Sequence, residues 1–451
     1  MSMIAGFAGN VIGPDHPEYD EVRPGWNGMI DRKPALIAQC TSTADVVAAV
    51  KHAAANGLTA VARCGGHSVS GASLPEGGVL VDLTGLRSIT VDPEARIAHV
   101  AGGCLLGDLD AATQEHGLAV TAGIEPSTGA GGLTLGGGIG FLCRKLGLTI
   151  DNLASMEVVL ADGSVVTASA DEHPDLFWAL RGGGGQFGIV TRFDYRVHPI
   201  GPEVMVAQAY YPMDDAKAAL TWLRDYMHSA SEDLGLATSF LRVPPIDPFP
   251  EEAHGKPCLA LIASHVGEAD EARKALQPFL EQGEMLFGFV DPMPYVDFQR
   301  CLADGSPHGN RYYWKSHFIH DLSDEVIDIM VEAARDFPGE FSQIFTEGLG
   351  GAVSQVGADE TAFANRSARY NLGISCGRID PALDDEAISR TRALFDAIAP
   401  HADKGVYINY LDRDEIDRAA ELFGPKTARL TSIKAKYDPA NLFGGPLGGA
   451  G

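Results

Sequence analysis

Two short segments of this chain carry residue types at spacings suited to chemistry. In Arg63-Cys64-Gly65-Gly66-His67-Ser68-Val69-Ser70-Gly71 a histidine directly follows paired glycines at the end of a strand-like run. Adjacent glycines let backbone N–H groups turn onto a diphosphate without side-chain obstruction, and a neutral imidazole is a competent nucleophile near physiological pH. A lone histidine in such a turn is usually structural; the company of further glycine clusters changes that balance. The second segment is Tyr407-x-Asn409-Tyr410. A phenol with an ordinary pKa of about 10 acts as a base near neutrality only where the site stabilises its anion. Val406–Tyr410 alternates like a strand, which would send Asn409 and Tyr410 to opposite faces and put Tyr407 on the face of Asn409.

Glycine is concentrated elsewhere too. Gly129–Gly140 holds seven glycines in twelve positions, and the embedded Leu133, Leu135 and Ile139 argue against a flexible linker and for bare backbone packed on a flat ligand. Gly183-x-Gly185-x-x-Gly188 satisfies the dinucleotide fingerprint, yet a helix-like stretch, Asp175–Arg181, precedes it and a strand-like one, Ile189–Val197, follows. A Rossmann site needs the reverse order. In the middle of the chain, Arg311–His317 is strand-like and rich in aromatic and titratable side chains, with core packing and a pocket role equally open. Glu347, Gln355, Tyr370 and Asn371 lie in other candidate sheet segments.

These residues need a scaffold, and periodicity supplies one. A helix from Ser42 or Thr43 with Val46, Val50 and Ala53 inward stops at Gly57 and leads into the strand Thr59–Arg63. Strands follow at Gly78–Leu83 and Arg96–Val100, then a helix at Leu105–His116. The middle region gives strands at Val204–Tyr211, Cys258–His265, Arg311–Ile319 and Ala368–Cys376 with a helix near Ala216–Ser229, read as one larger sheet covered by helices on one face. Toward the end, Asp414–Phe423 and Ala428–Tyr437 read as helices, the latter stopped by Asp438-Pro439.

Composition bounds the function. The 451 residues include 53 glycines, about 12% against an average of roughly 7%. A net charge of −26 disfavours nucleic acid and anionic bilayers as partners. No stretch reaches the uninterrupted apolar length a membrane span requires, and Met1–Gly13 lacks a basic segment leading into an apolar one, so a soluble cytoplasmic protein is expected. Seven scattered cysteines without a C-x-x-C pair suggest reduced thiols, with neither a disulfide framework nor a metal site. Oligomeric state is not legible.

Taken together, Arg63–Gly71, Gly129–Gly140, Arg144-Lys145-x-Gly147-Leu148-x-x-Asp151-Asn152, Asp175–Gly188, Tyr407-x-Asn409-Tyr410 and Lys434-x-x-Tyr437-Asp438-Pro439-x-Asn441-x-Phe443 resemble, in order, the berberine-bridge-enzyme-like branch of the vanillyl-alcohol-oxidase superfamily of FAD-linked oxidases. The resemblance implies an α+β fold: a two-part PCMH-type FAD-binding domain over residues 1–202, a substrate domain over 203–400 with an antiparallel sheet covered by helices, and a return to the FAD-binding domain over 401–451. It implies FAD bound covalently through His67. Around the cofactor it places Arg63, Cys64, Gly65, Gly66, Ser68, Gly71, Glu125, Pro126, Ser127, Thr128, Gly131, Gly132, Gly136, Gly137, Gly138, Gly140, Asn152, Gly188, Ile189, Val190 and Asn409.

The implied reaction is hydride transfer from a small organic substrate to flavin N5, with Tyr410 or Tyr407 taking the proton, Asn409 at the flavin edge and O2 as electron acceptor. Many relatives attach FAD a second time through a cysteine in Gly-x-Cys-Pro-Thr. Here the matching stretch is Gly123-Ile124-Glu125-Pro126-Ser127-Thr128, so Glu125 replaces that cysteine and a single link is expected. Sugar oxidases of the branch usually carry both links, which favours an amine, an alcohol or a secondary-metabolite intermediate over carbohydrate. A dehydrogenase using another acceptor is the further alternative, with Thr128 beside the flavin bearing on oxygen access. After Asn441-Leu442-Phe443 the chain departs from the family's ending into Gly444-Gly445-Pro446-Leu447-Gly448-Gly449-Ala450-Gly451, which reads as flexible.

Overall fold

A computed structural model describes residues 4–405, 407–418 and 422–447. Three larger sheets carry the architecture. The first is four-stranded, in the order Asn10–Ile12, Leu36–Gln39, Val79–Asp82, Ala60–Arg63, with its last three strands parallel. Its crossover is the helix Thr43–Ala55, capped where the Ser42 hydroxyl accepts from Asp45 N at 3.2 Å and ended at Gly57, whose φ of +66° suits glycine. Val46, Val50 and Ala53 are fully buried against the strands. The strand Ala60–Arg63 therefore ends at a fixed place, and the Gly65-Gly66-His67 loop leaves from it.

The second sheet is antiparallel, in the order Ile89–Asp92, Ile97–Ala101, Ile189–Arg196, Leu153–Val159, Val165–Ser169. The third has seven antiparallel strands: Phe287–Pro294, Glu203–Pro212, Pro257–His265, Leu234–Arg242, Gln343–Gly348, Tyr370–Arg378 and Arg311–Ile319. Helices Ala216–Met227, Ala269–Leu276, Asp324–Ala334 and Asp384–Ile398 pack on one face through a core that includes Leu220, Leu223, Ile327, Met330, Leu372 and Ile374. Strand alternation then turns Gln343, Phe345 and Glu347 to the other face, toward the first two sheets. The α+β reading, with an antiparallel sheet covered by helices, matches this arrangement.

Several local expectations change. Gly129–Gly140, read only as bare backbone against a flat ligand, contains the helix Ala130–Gly136. Its glycines cost helix stability, but packing offsets the loss: the Thr134 hydroxyl donates to Ala130 O and meets the Tyr195 hydroxyl, both at 2.7 Å. The expected strand at 406–410 is a 3-10 turn, Ile408–Tyr410, with Tyr410 N donating to Tyr407 O at 2.9 Å; Val406 lies outside the described residues. The expected helix at 414–423 is a 3-10 segment over Arg413–Arg418, and residues 419–421 lie outside the described set. Ion pairs hold that tight path: Lys315 reaches Asp414 at 2.8 Å and Glu415 at 3.2 Å, and Arg392 reaches Asp414 at 2.6 Å. Among the described residues, no helix is long and apolar enough to cross a membrane.

The ending is held along 438–447. Asp438 accepts from Leu442 N at 2.7 Å and Phe443 N at 2.9 Å, and Leu447 N donates to Gln186 Oε1 at 3.1 Å. Lys434 adds bonds to Asp438, Gln186 O and Gly444 O at 2.6–2.8 Å. The flexible reading of this segment is corrected by these contacts; residues 448–451 lie outside the described set.

Candidate active site

Between the glycine-rich loops and the seven-stranded sheet lies a cavity of about 690 Å³. One side is backbone: Gly65, Gly66, Gly131, Gly132, Gly136, Gly183, Gly184, Gly185 and Gly188 line it. Two of them show why glycine is needed. A Cβ on Gly65 would lie 2.4 Å from Gly129 N, so the two loops touch backbone to backbone. A Cβ on Gly132 would meet no atom within 4 Å, so that backbone opens directly into the cavity. The 183–188 segment runs from the helix Pro174–Leu180 into the strand Ile189–Arg196, the order that excludes a Rossmann turn, yet its glycines lie on the cavity wall.

Of the residues singled out from sequence, Cys64, Gly65, Gly66, His67, Ser68, Glu125, Thr128, Gly131, Gly132, Gly136, Gly188, Ile189, Val190, Tyr407, Asn409 and Tyr410 share this wall. Leu133, Leu135, Ile139, Trp314 and Glu347 line it too, whereas Arg63, Gly71, Pro126, Ser127, Gly137, Gly138, Gly140 and Asn152 stand behind it. Arg63 pairs with Asp82 at 2.7 Å and donates to Val22 O at 2.6 Å. Gly71 takes a φ of +74° at the loop's end, and Pro126 O accepts from Gly107 N at 3.0 Å. Ser127 touches His67, and Gly138 N donates to the Tyr407 hydroxyl at 3.0 Å. Gly137 N donates to Thr134 O, Gly140 N to Cys143 Sγ, and Asn152 Nδ2 to Leu146 O and Leu148 O. Gln355 bonds Glu232 and, like Tyr370, is not on this wall.

His67 is half-buried and stacks on Trp26, ring centroids 5.3 Å apart. Its Nε2 is 2.8 Å from Ser127 Oγ. Burial, with a smaller effect of the His308 charge, lowers its pKa to about 4, so the ring is neutral near pH 7. Trp26 in turn stacks on Tyr312 at 4.1 Å. Nothing in the sequence around Trp26 marks it as a neighbour of His67.

At the sheet side, the Tyr410 hydroxyl donates to Glu347, 3.1 Å from each oxygen. Asn371, the register partner of Glu347 on the next strand, donates to Glu347 Oε2 at 2.7 Å. Burial raises the Glu347 carboxyl to about 7 against the lowering effect of these two bonds. Burial, and then the Glu347 charge, push the Tyr410 phenol well above its ordinary value. Tyr407 moves the same way, although its oxygen accepts from Gly138 N, Ile139 N and Asn409 Nδ2. The 3-10 turn brings Tyr407 and Tyr410 together, rings 4.9 Å apart, where a strand would have separated Asn409 from Tyr410. Trp314 and Phe345 complete an aromatic wall around Tyr410 at 4.8 and 5.8 Å.

A dinucleotide with a planar ring fits these features: naked backbone for the phosphates, a neutral imidazole on the wall, and an enclosed apolar-aromatic end. Residues 34–169 match the FAD binding domain family, and residues 406–448 match the family described as berberine and berberine like. (R)-6-hydroxynicotine oxidase of Paenarthrobacter nicotinovorans is 35% identical over 96% of this chain and 95% of its own. The chain belongs to the berberine-bridge-enzyme-like family. As a member of that family it is an FAD-dependent oxidoreductase. Its fold is close to that of Physcomitrella patens BBE-like 1, with a TM-score of 0.88, 25% identity, and coverage of 98% and 97% of the two chains. It is also close to the glucooligosaccharide oxidase of Acremonium strictum, described as carrying a 6-S-cysteinyl, 8α-N1-histidyl FAD, with a TM-score of 0.85, 26% identity, and coverage of 97% and 96%.

Proposed function

We propose that this family member oxidises a small organic substrate, an amine, an alcohol or a secondary-metabolite intermediate, on an FAD attached through His67 alone. When bound, FAD supplies a hydride acceptor at N5 and passes the electrons to O2, giving H2O2. The chain's own contribution is positioning and proton transfer. Residues 1–202 with 401–451 hold the cofactor, and residues 203–400 present the sheet wall to the substrate.

The observation that carries this reading is the Tyr410–Glu347 pair on the wall of the cavity that also holds His67. A phenolate is disfavoured here, so Tyr410 works as a relay: it takes the substrate O–H or N–H proton while giving its own to Glu347. Glu347 titrates near neutrality and can receive it. Asn371 holds the carboxylate in place, and Asn409, donating to Leu133 O and the Tyr407 hydroxyl at 2.9 Å, fixes the turn.

A single tether is supported by the thiols. Glu125 offers no sulfur, and of the seven free cysteines Cys64 alone lines the cavity. Burial pushes the Cys64 thiol up to about 11, and its sulfur lies 3.2 Å from Cys104 O, so the thiolate needed for a second bond is disfavoured.

Thr238, Ser239 and Gln343 put hydroxyl and amide groups on the sheet wall, and with the glucooligosaccharide oxidase relative they favour carbohydrate as the second reading. One screen decides among them: amines, alcohols, phenols and oligosaccharides assayed for H2O2, with each hit followed anaerobically by flavin bleaching and then mixed with O2. Peroxide from small amines or alcohols is expected. Bleaching without fast reoxidation would mean a dehydrogenase, and turnover of sugars alone would establish the second reading.

A further inference from the structure

Glu125 does more than replace a sulfur. Its Oε1 accepts from the Ser127 hydroxyl at 2.7 Å and from Ser127 N at 3.1 Å, and Thr128 N closes the turn onto Glu125 O at 3.0 Å. A hydroxyl has one proton, and here it points at the carboxylate. Ser127 Oγ therefore meets His67 Nε2, at 2.8 Å, as an acceptor, which requires the imidazole hydrogen on Nε2 and leaves the lone pair on Nδ1. Trp26, stacked within 18° of the ring plane, fixes the imidazole's orientation.

We propose that Ser127 and Glu125 are positioning residues for flavin attachment, a relay that selects the His67 tautomer with Nδ1 free and removes the Nε2 proton as the bond forms. The inference rests on the His67 tether proposed above. In the step, Nδ1 bonds to the flavin 8α carbon. The methyl C–H proton leaves to solvent, and the imidazole N–H proton leaves through Ser127 to Glu125. The two electrons released stay with the ring and pass to O2 as the oxidant, giving H2O2, so histidine, methyl flavin and O2 yield histidyl flavin and peroxide.

The neutrality of the ring, set by burial, serves the same end, because a protonated imidazole has no lone pair to attack with. The arrangement resembles a serine placed between a carboxylate and a histidine, with the histidine as nucleophile.

The test follows FAD incorporation into the whole protein by the flavin retained after acid precipitation, and locates the bond on the imidazole by NMR of the isolated flavopeptide. Wild type is expected to attach FAD at Nδ1 only. Glu125→Gln keeps a hydrogen-bond acceptor but takes no proton, so it attaches roughly 10²-fold more slowly, still at Nδ1. Ser127→Ala is slowed similarly and yields a mixture of Nδ1 and Nε2 links, because nothing selects the tautomer; Ser127→Thr restores rate and site. Wild-type rates with a single linkage in both Glu125→Gln and Ser127→Ala would overturn the relay. Covalent flavin surviving in His67→Ala would instead overturn the tether. If Ser127→Ala does not fold, Glu125→Gln decides by its rate alone.

Discussion

The Tyr410 hydroxyl stands 3.1 Å from both oxygens of Glu347, at the junction between the tight turn Ile408–Tyr410 and the strand Gln343–Gly348. A phenol and a carboxyl so placed, both buried, are joined by one hydrogen bond whose proton the phenol supplies. The phenol is held protonated and the carboxyl is brought close to the working pH. In the proposed reaction Glu347 is the terminal acceptor and Tyr410 the contact.

Flavin reduction by a substrate from the screen is expected to accelerate with rising pH through about 7 and then level off, because only ionised Glu347 can accept a proton. Glu347→Gln should lower the reduction rate roughly 10²-fold and flatten the profile, and the double variant with Tyr410→Phe should be no slower than the worse single one. Anaerobic stopped-flow across pH 5.5–8.5 reads this directly. An unchanged sigmoid in Glu347→Gln would assign the titration elsewhere.

The two kinds of wall glycine separate cofactor space from backbone contact. Gly132→Leu places a side chain into open cavity, so its FAD content should fall sharply while, compared flavin-free, the protein melts no lower than wild type. Gly65→Ala, 2.4 Å from Gly129 N, should lower the melting temperature as well. Full flavin occupancy in Gly132→Leu would show that FAD does not lie against that backbone.

Lys434 is buried and bonded to Asp438, Gln186 O and Gly444 O. Lys434→Met leaves Asp438 a buried charge without its partner, and should cost about 3 kcal/mol in denaturant unfolding. Because Gly444, Gly445 and Pro446 line the cavity, the same variant should expose the 444–447 segment to proteolysis. A loss below about 0.5 kcal/mol, the level of an ordinary surface change, would show that the pair does not hold the ending.

What the sequence disclosed depended on how local each signal is. The Gly65-Gly66-His67 loop, the helix before Gly183 and the strand after Gly188 are legible because strand, turn and helix chemistry sit within a few residues. At Tyr407-x-Asn409-Tyr410 the residues were legible but their geometry was not. Their alternation suits a strand, and only tertiary bonds from Gly138 and Leu133 reveal the turn. Trp26 has no periodic mark, and its stacking on His67 is created by the fold. Glu347 stood out only as one polar residue in a sheet segment; its role depends on register with Asn371 and on a turn sixty-three residues away. The held ending follows from Lys434 and Asp438 at i, i+4, a pair visible in the motif whose reach to Gly444 and Gln186 was not.

The most direct test needs no substrate. Protein purified from an FAD-replete host is acid-precipitated, digested, and its flavin-bearing peptides sequenced by mass spectrometry. The expected result is a yellow pellet with one flavopeptide, modified at His67 and at no cysteine, and a colourless pellet for His67→Ala. A colourless wild-type pellet, or flavin on any other residue, would contradict it.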